Sequence, residues 1–157
     1  MTEVDFDKIV IVSLYERFST LVAKAIAKDV NMLFCSTREL LAYEIMDRKL
    51  VEERCSVDYL KKQELRVIKN LASYENVCIS ISYERFYENA SLFQKNSLIV
   101  FIDLPKTYIK QKSKISYIRF NERRENLIKT STLSLKVRKV EVESVKIKIL
   151  KQLGGIL

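Results

Sequence analysis

The sequence has 157 residues, 48% of them hydrophobic and 31% charged, which is the composition of one folded domain and not of a disordered chain. It has no histidine, and this excludes His-based catalytic triads, histidine metal sites and the commonest general base. The formal net charge of +8 is uneven, because residues 104–157 carry 14 Lys and Arg against 4 Asp and Glu. We expect a single domain spanning residues 1–157.

The cysteine usage and the absence of long apolar stretches favour a cytoplasmic protein. Cys35, Cys55 and Cys78 are too few and too widely spaced for a disulfide framework, so we expect reduced thiols. No uncharged apolar stretch reaches the roughly 18 residues of a membrane-spanning helix. The chain begins MTEVDFD, which is acidic and lacks the basic start of a secretory signal. We therefore expect no membrane partner.

The beginning of the chain alternates short apolar runs with helical patterns. Residues 8–14 form a nearly continuous apolar run, which is typical of a strand buried on both faces. Ser19 or Thr20 is expected to cap the helix that follows. Residues 31–35 predict a second strand.

Two further helices are expected before the third strand. Ser36 or Thr37 is the expected cap of the first, which follows the second strand directly. Ser56 is expected to begin the second, whose spacing predicts the following inward residues: Tyr59, Leu60, Leu65, Ile68 and Leu71.

The middle of the chain contains the clearest strand. Residues 77–82 are rich in β-branched side chains and predict the third strand, and residues 83–94 predict a short helix or a turn. Residues 97–102 predict the fourth strand. Pro105 is expected in the first turn of the helix that follows.

The last third continues the same alternation. Residues 106–129 predict a helix with a polar interruption at 110–114, residues 131–137 a fifth strand, and a final helix is expected to end at Gly154 and Gly155. Apolar strands alternating with helices favour a three-layer α/β/α fold with a five-stranded, mostly parallel sheet.

The order and spacing of these segments resemble the shikimate kinase family of P-loop kinases. A strand, a tight loop and a helix opening with Ser19-Thr20 look like the family's beginning, and residues 22–29 (VAKAIAKD) resemble its first helix. Residues 97–105 resemble the fourth strand, and residues 122–127 (ERRENL) the helix after the lid. The resemblance implies a P-loop kinase-like fold with the second strand at one edge, followed by the third, first, fourth and fifth.

The P-loop of this family is degenerate in the present sequence. The pattern G-x-x-x-x-G-K-[ST] places backbone N–H groups, a lysine and a hydroxyl around phosphates and Mg²⁺. Ser13 and Phe18 stand where the glycines are expected, and Ser19 where the lysine is expected. Only Thr20 fits, and Glu16 adds a negative charge where phosphates bind.

The expected substrate site has also changed. Where the family has acidic residues after the second strand, this chain has Ser36 and Arg38, and residues 59–60 (YL) stand where a substrate-binding arginine is expected. Residues 81–83 (ISY) replace a Gly-Gly-Gly turn. The basic residues 110–114 lie where the family has its lid.

These losses together predict a catalytically inactive, pseudokinase-type domain that binds or regulates something else. We expect no catalytic residue, no metal ligand and no cofactor, only a vestigial nucleotide site at Arg17, Ser19, Thr20 and Arg123. The partner is expected to be an unidentified protein or a second copy of the chain. One alternative is a divergent ATP-dependent, shikimate-type kinase using Mg²⁺, Thr20, Arg17 and the lid lysines.

A second alternative is binding of a polyanion or nucleic acid through the basic C-terminal third, against the plainer interpretation of a solvated lysine-rich surface. Cys35 ends a predicted strand, but no histidine is present to activate it, so a structural role is favoured. The aromatic residues Tyr83, Phe86 and Tyr87 favour core packing or a protein interface.

Overall fold

Five strands pair into one parallel sheet in a computed structural model that describes residues 6–45 and 47–156. The strands are β1 (Lys8–Ser13), β2 (Leu33–Ser36), β3 (Val77–Ile81), β4 (Ser97–Asp103) and β5 (Leu133–Lys136). Their order across the sheet is β2-β3-β1-β4-β5, and every neighbouring pair runs parallel. The α/β fold and the strand order implied by the resemblance are therefore confirmed.

Helices cover both faces of this sheet. They are α1 (Glu16–Val30), α2 (Thr37–Glu44), α3 (Arg48–Arg54), α4 (Val57–Ser73), α5 (Tyr83–Glu88), α6 (Ala90–Phe93), α7 (Lys106–Lys112), α8 (Tyr117–Thr130) and α9 (Val142–Ile156). Pro105 directly precedes α7. Residues 110–114, where a lid was predicted, form the last turn of α7 and the start of the short loop 113–116. No described helix is both long and apolar enough to cross a membrane.

Alternating strand residues divide the core between the two faces. On one face, Ile9 and Ile11 of β1 pack with Val22 and Ile26 of α1 and with Ile149 of α9. The other face of the same strands packs against α4, α5, α6 and α8, through residues that include Val10, Val12, Leu71, Phe86, Phe93 and Leu127. Because β1 is buried along its whole length, its sequence is almost uninterrupted in apolar residues.

Two predicted helix caps are confirmed and one is wrong. Ser36 accepts the backbone N–H of Glu39 at 3.2 Å, and Ser56 accepts that of Tyr59 at 3.1 Å. Helix α1 instead begins three residues before Ser19, after Tyr15, and has no side-chain cap. Ser19 and Thr20 lie inside the helix, because a tight turn at the end of β1 lets the chain enter helical conformation early.

Two other local predictions are also wrong. Tyr59 and Leu65 of α4 are 45% and 39% exposed, because the inward stripe runs through Leu60, Val67, Ile68 and Leu71 at helical spacing. Helix α9 continues through Gly154, which does not adopt the positive φ that a glycine cap requires. A Cβ added at Gly154 would meet no atom within 4 Å, so no close approach there required a glycine.

Candidate functional site: the carboxyl edge of the sheet

The turn between β1 and α1 is closed by its own hydrogen bonds. The Ser13 hydroxyl donates to the Tyr15 carbonyl oxygen at 2.8 Å and accepts the Tyr15 N–H at 3.2 Å. The carbonyl oxygen of Tyr15 in turn accepts the N–H groups of Phe18 and Ser19, at 3.1 and 3.4 Å. A phosphate cradle needs such N–H groups free to point at the ligand. Here the segment that resembles a P-loop is wound into the first turn of a helix.

Aromatic side chains cover this turn. Tyr108 of α7 meets Tyr15 edge to face, with ring centroids 5.9 Å apart, and meets Phe18 in the same way at 6.4 Å. Phe18 is buried, and Tyr15 and Tyr108 are partly buried. Burial and the nearby Tyr15 hydroxyl raise the pKa of Tyr108 above its ordinary value. The space above the β1–α1 turn is therefore occupied by packed rings, and Tyr108 had no sequence signal of its own.

Thr20, the one residue that fits the P-loop pattern, is used structurally. Its hydroxyl donates to the hydroxyl of Ser80 on β3 at 3.1 Å, and so ties α1 to the neighbouring strand. Within residues 6–45 and 47–156, no three His, Cys, Asp or Glu side chains are grouped so as to hold a metal ion. The hydroxyl of Thr20 is thus already engaged in a hydrogen bond within the protein.

The four residues predicted as a vestigial nucleotide site are distributed over two helices. Arg17, Ser19 and Thr20 lie on α1, where Arg17 is exposed and the Ser19 hydroxyl donates to the Glu16 carbonyl at 3.0 Å. Arg123 lies on α8, with Nη1 3.1 Å from Glu84 Oε1. Its guanidinium also stands 4.8 Å from the centre of the Tyr83 ring. The nucleotide-binding role of these residues stays a prediction.

Residues 81–83, which stand where the resemblance implies a Gly-Gly-Gly turn, lead directly into helix α5. Ser82 caps α5 by accepting the N–H of Arg85 at 3.3 Å, so a helix begins where the resemblance implies a glycine turn. Tyr83 stacks on Tyr87 with centroids 5.7 Å apart, whereas Phe86 is fully buried. Core packing of the aromatic cluster is thus confirmed for Phe86, while Tyr87 is 53% exposed.

A cleft of about 1090 Å³ opens beside α5, next to helices α2, α3 and α4. Four cationic and four anionic side chains line it, namely Arg38, Arg48, Lys61, Arg85, Glu16, Glu64, Glu84 and Glu88. Arg48 pairs with Glu64, and Glu84 pairs with Arg123 from α8. Among the described residues, Arg38, Lys61 and Arg85 form no ion pair, and neither do the carboxylates of Glu16 and Glu88.

Glu16 and Arg85 both line this cleft and are both partly buried. Burial raises the pKa of Glu16 above its ordinary value, although Arg85 and Arg38 oppose the shift, and Glu84 adds to it. The Nε of Arg85 is buried and has no hydrogen-bond partner within the described residues. The sequence pattern singled out Glu16 and Arg38 here, but gave no signal for Arg85.

A smaller recess of about 520 Å³ lies at the carboxyl ends of β4 and β5. At its base Arg124 of α8 binds Asp103, with Nε 3.0 and 2.9 Å from the two carboxylate oxygens and Nη2 2.8 Å from Oδ2. Hydrogen bonding to Asp103 is the main reason that the pKa of Arg124 is raised. This ion pair links α8 to the carboxyl end of β4.

The two cysteines at the sheet, Cys35 and Cys78, both have raised pKa values. Burial, helped by Glu39, raises the pKa of Cys35, and burial raises the pKa of Cys78 to about 12. A raised pKa lowers the thiolate fraction, and the thiolate is the nucleophile. The structure therefore favours the structural role predicted for Cys35.

Shikimate kinases and a gluconokinase are among the solved structures to which this chain is similar. No protein-family model and no curated protein sequence matches it. The shikimate kinase of Aquifex aeolicus superposes with a TM-score of 0.76 and 25% identity, over 94% of this chain and 96% of that one. The shikimate kinase of Bacteroides thetaiotaomicron gives 0.72 and 15%, over 94% and 98%.

A gluconokinase from Sinorhizobium meliloti gives a TM-score of 0.60 and 17% identity, over 97% of this chain and 94% of that one. The likeness therefore extends over nearly the whole of each chain, and it agrees with the parallel sheet and its strand order. This chain has the shikimate-kinase-like P-loop kinase fold.

Proposed function

We propose that this protein is a non-catalytic member of the kinase-fold group that binds a small anionic ligand in the cleft beside α5. One observation carries the loss of catalysis: the carbonyl of Tyr15 accepts the two N–H groups, of Phe18 and Ser19, that a phosphate-binding loop would present to ATP. Phosphoryl transfer depends almost entirely on positioning and charge stabilisation, so a closed cradle removes its basis.

The charges at the β1–α1 turn support the same proposal. Ser19 supplies no cation, and Glu16 carries a carboxylate within the first turn of α1. At ~4 Å and an effective dielectric constant of about 20, each charge–charge contact is on the order of 4 kcal/mol. Replacing an attractive lysine by a neutral serine and adding a carboxylate therefore disfavours a triphosphate.

The cations of the cleft support an anionic ligand there. Arg85 has a buried Nε without a partner, and a buried, unsatisfied donor costs about 1–3 kcal/mol in a folded protein. Arg38 and Lys61 lie around the same cleft without an ion-pair partner among the described residues. Arginine binds carboxylates in a bidentate geometry, so a small carboxylate fits this lining best.

The loss of nucleotide binding is tested by titration calorimetry of ATP–Mg²⁺ into the protein at low and moderate salt. We expect no heat of binding. Micromolar binding that survives moderate salt would contradict the proposal and favour the divergent kinase. That alternative also requires phosphoryl transfer to an acceptor such as shikimate, abolished in Thr20→Ala.

The cleft is tested separately, by thermal-shift titration with small carboxylates including shikimate. We expect a stabilising carboxylate to lose its effect in Arg85→Met and to keep it in Arg54→Met, which removes an exposed arginine of α3 instead. Equal loss in both variants would contradict a site at Arg85. Binding of an unidentified protein partner and self-association both stay predictions.

A further inference from the structure

The charged side chains that line the recess at the ends of β4 and β5 are mainly cations. Lys106 lies at the start of α7, and Lys136 and Arg138 lie at the end of β5. Among the described lining residues the only carboxylate is that of Asp103, and Arg124 already binds both of its oxygens. The recess therefore has a surplus of positive charge, and we name these three residues, Lys106, Lys136 and Arg138, the basic recess.

The cations of the basic recess are not neutralised within the protein. In residues 6–45 and 47–156 none of Lys106, Lys136 and Arg138 forms an ion pair. The same part of the sequence, residues 104–157, carries 14 basic against 4 acidic residues. Charges arranged in this way attract phosphate-rich partners from a distance.

An exposed aromatic ring stands beside these cations. The Nζ of Lys106 lies 3.2 Å from the centre of the Tyr117 ring, and Tyr117 is 56% exposed. A hydrogen bond with Asn121, which also lines the recess, and the charges of Lys106 and Lys110 lower the pKa of the Tyr117 hydroxyl. Solvent-exposed rings next to cationic grooves are the elements with which proteins bind unpaired bases and phosphates together.

We propose that the basic recess and Tyr117 bind single-stranded nucleic acid, with Lys136 and Arg138 contacting phosphates and Tyr117 stacking on a base. A free phosphate would use the cations alone and gain nothing from the ring. A duplex would keep its bases stacked inside, away from Tyr117. The proposal is independent of the ligand of the cleft beside α5, which is lined by a different set of residues.

The test is fluorescence anisotropy with a labelled oligouridine of about 12 nucleotides, a length within the usual site size. We expect binding that weakens as salt rises, and a log–log salt slope that falls by about 1.4 in Lys136→Gln/Arg138→Gln, since each single-strand phosphate contact contributes roughly 0.7. Lys62→Gln/Lys69→Gln removes the same charge from exposed positions of α4 and should retain wild-type binding.

Tyr117→Ala separates nucleic acid from phosphate alone. We expect it to weaken oligouridine binding roughly tenfold while leaving binding of inorganic polyphosphate unchanged, because only a base can stack. No binding at low salt, an equal loss in the α4 control, or an oligouridine affinity insensitive to Tyr117→Ala would each overturn the proposal. Unchanged thermal unfolding of the variants shows that their fold is retained.

Discussion

Tyr15 and Tyr108 meet edge to face, with ring centroids 5.9 Å apart, above the turn that joins β1 to α1. Tyr15 belongs to the segment that resembles a P-loop, whereas Tyr108 comes from α7, after the fourth strand. The contact therefore joins two parts of the chain that are far apart in sequence. Aromatic rings therefore cover the β1–α1 turn, and internal hydrogen bonds occupy its N–H groups.

Removing the Tyr108 ring should destabilise the protein without creating an ATP site. Tyr108→Ala deletes a partly buried ring, and we expect a loss of roughly 1–3 kcal/mol in the free energy of unfolding. ATP should still not bind, because Phe18 and Ser19 keep their N–H groups on the Tyr15 carbonyl. Chemical denaturation and calorimetry measure the two effects. Tyr108→Phe keeps the ring and serves as the control, and ATP binding gained by Tyr108→Ala would show that the ring alone closes the site.

Replacing Glu16 by glutamine should stabilise the protein in a pH-dependent way. Because the folded-state pKa of Glu16 is raised above its ordinary 4.5, the stability contributed by its protonation is fully present below 4.5 and is lost as pH rises through the folded-state pKa. Glu16→Gln cannot ionise, so its melting temperature should exceed that of the wild type at about pH 7.5 by more than at about pH 4.5.

Glu52→Gln is the control for this pH dependence, because it removes an exposed carboxylate from α3. Surface changes of that kind usually alter stability by less than about 0.5 kcal/mol. A difference between Glu16→Gln and wild type that is constant with pH, or that grows towards acid, would contradict the burial of an ionised Glu16.

The ion pair between Asp103 and Arg124 should be asymmetric in its energetics. Asp103 is buried, while the side chain of Arg124 is 35% exposed. Arg124→Leu leaves a buried carboxylate without its partner and should cost roughly 2–4 kcal/mol. Asp103→Asn leaves an arginine that water reaches, and should cost less. Denaturant unfolding of both single variants and the double variant measures the coupling, and purely additive losses would contradict it.

The three cysteines should react with a thiol reagent in a fixed order. Cys55 is exposed, Cys35 is half-buried with a raised pKa, and Cys78 is buried with a pKa of about 12. At about pH 8 we expect fast modification of Cys55, slow modification of Cys35 and none of Cys78 before unfolding, since the thiolate reacts. Cys55→Ser should remove the fast phase, and rapid modification of Cys78 in the folded protein would be inconsistent with its burial.

Much of the fold could be predicted from the sequence because its signals are local. The apolar runs of β1, β3 and β4 are nearly continuous, as expected for strands buried on both faces. Ser36 and Ser56 stand immediately before helical patterns and act as caps. Helix α3 was not predicted, since it has no buried residues and therefore no apolar stripe, although Asp47 caps it.

That residues 13–20 lack the glycines and the lysine of the P-loop pattern could be read directly from the sequence, because those requirements belong to single positions. The residues that pack over the β1–α1 turn and line the cleft could not be predicted in this way. Tyr108 and Arg85 are ordinary residues in ordinary helical patterns, and they acquire a role only where α7 and α5 meet the carboxyl edge of the sheet.

The sequence by itself determined the parallel α/β architecture, the absence of glycine and lysine from residues 13–20 and the basic character of residues 104–157, because hydrophobic periodicity, residue identity and charge are properties of the chain. Only the tertiary structure decided that Tyr15, Phe18 and Tyr108 close the β1–α1 turn, and that Lys106, Lys136 and Arg138 share one recess. These relationships join residues far apart in sequence, and their distances are set by how helices pack on the sheet.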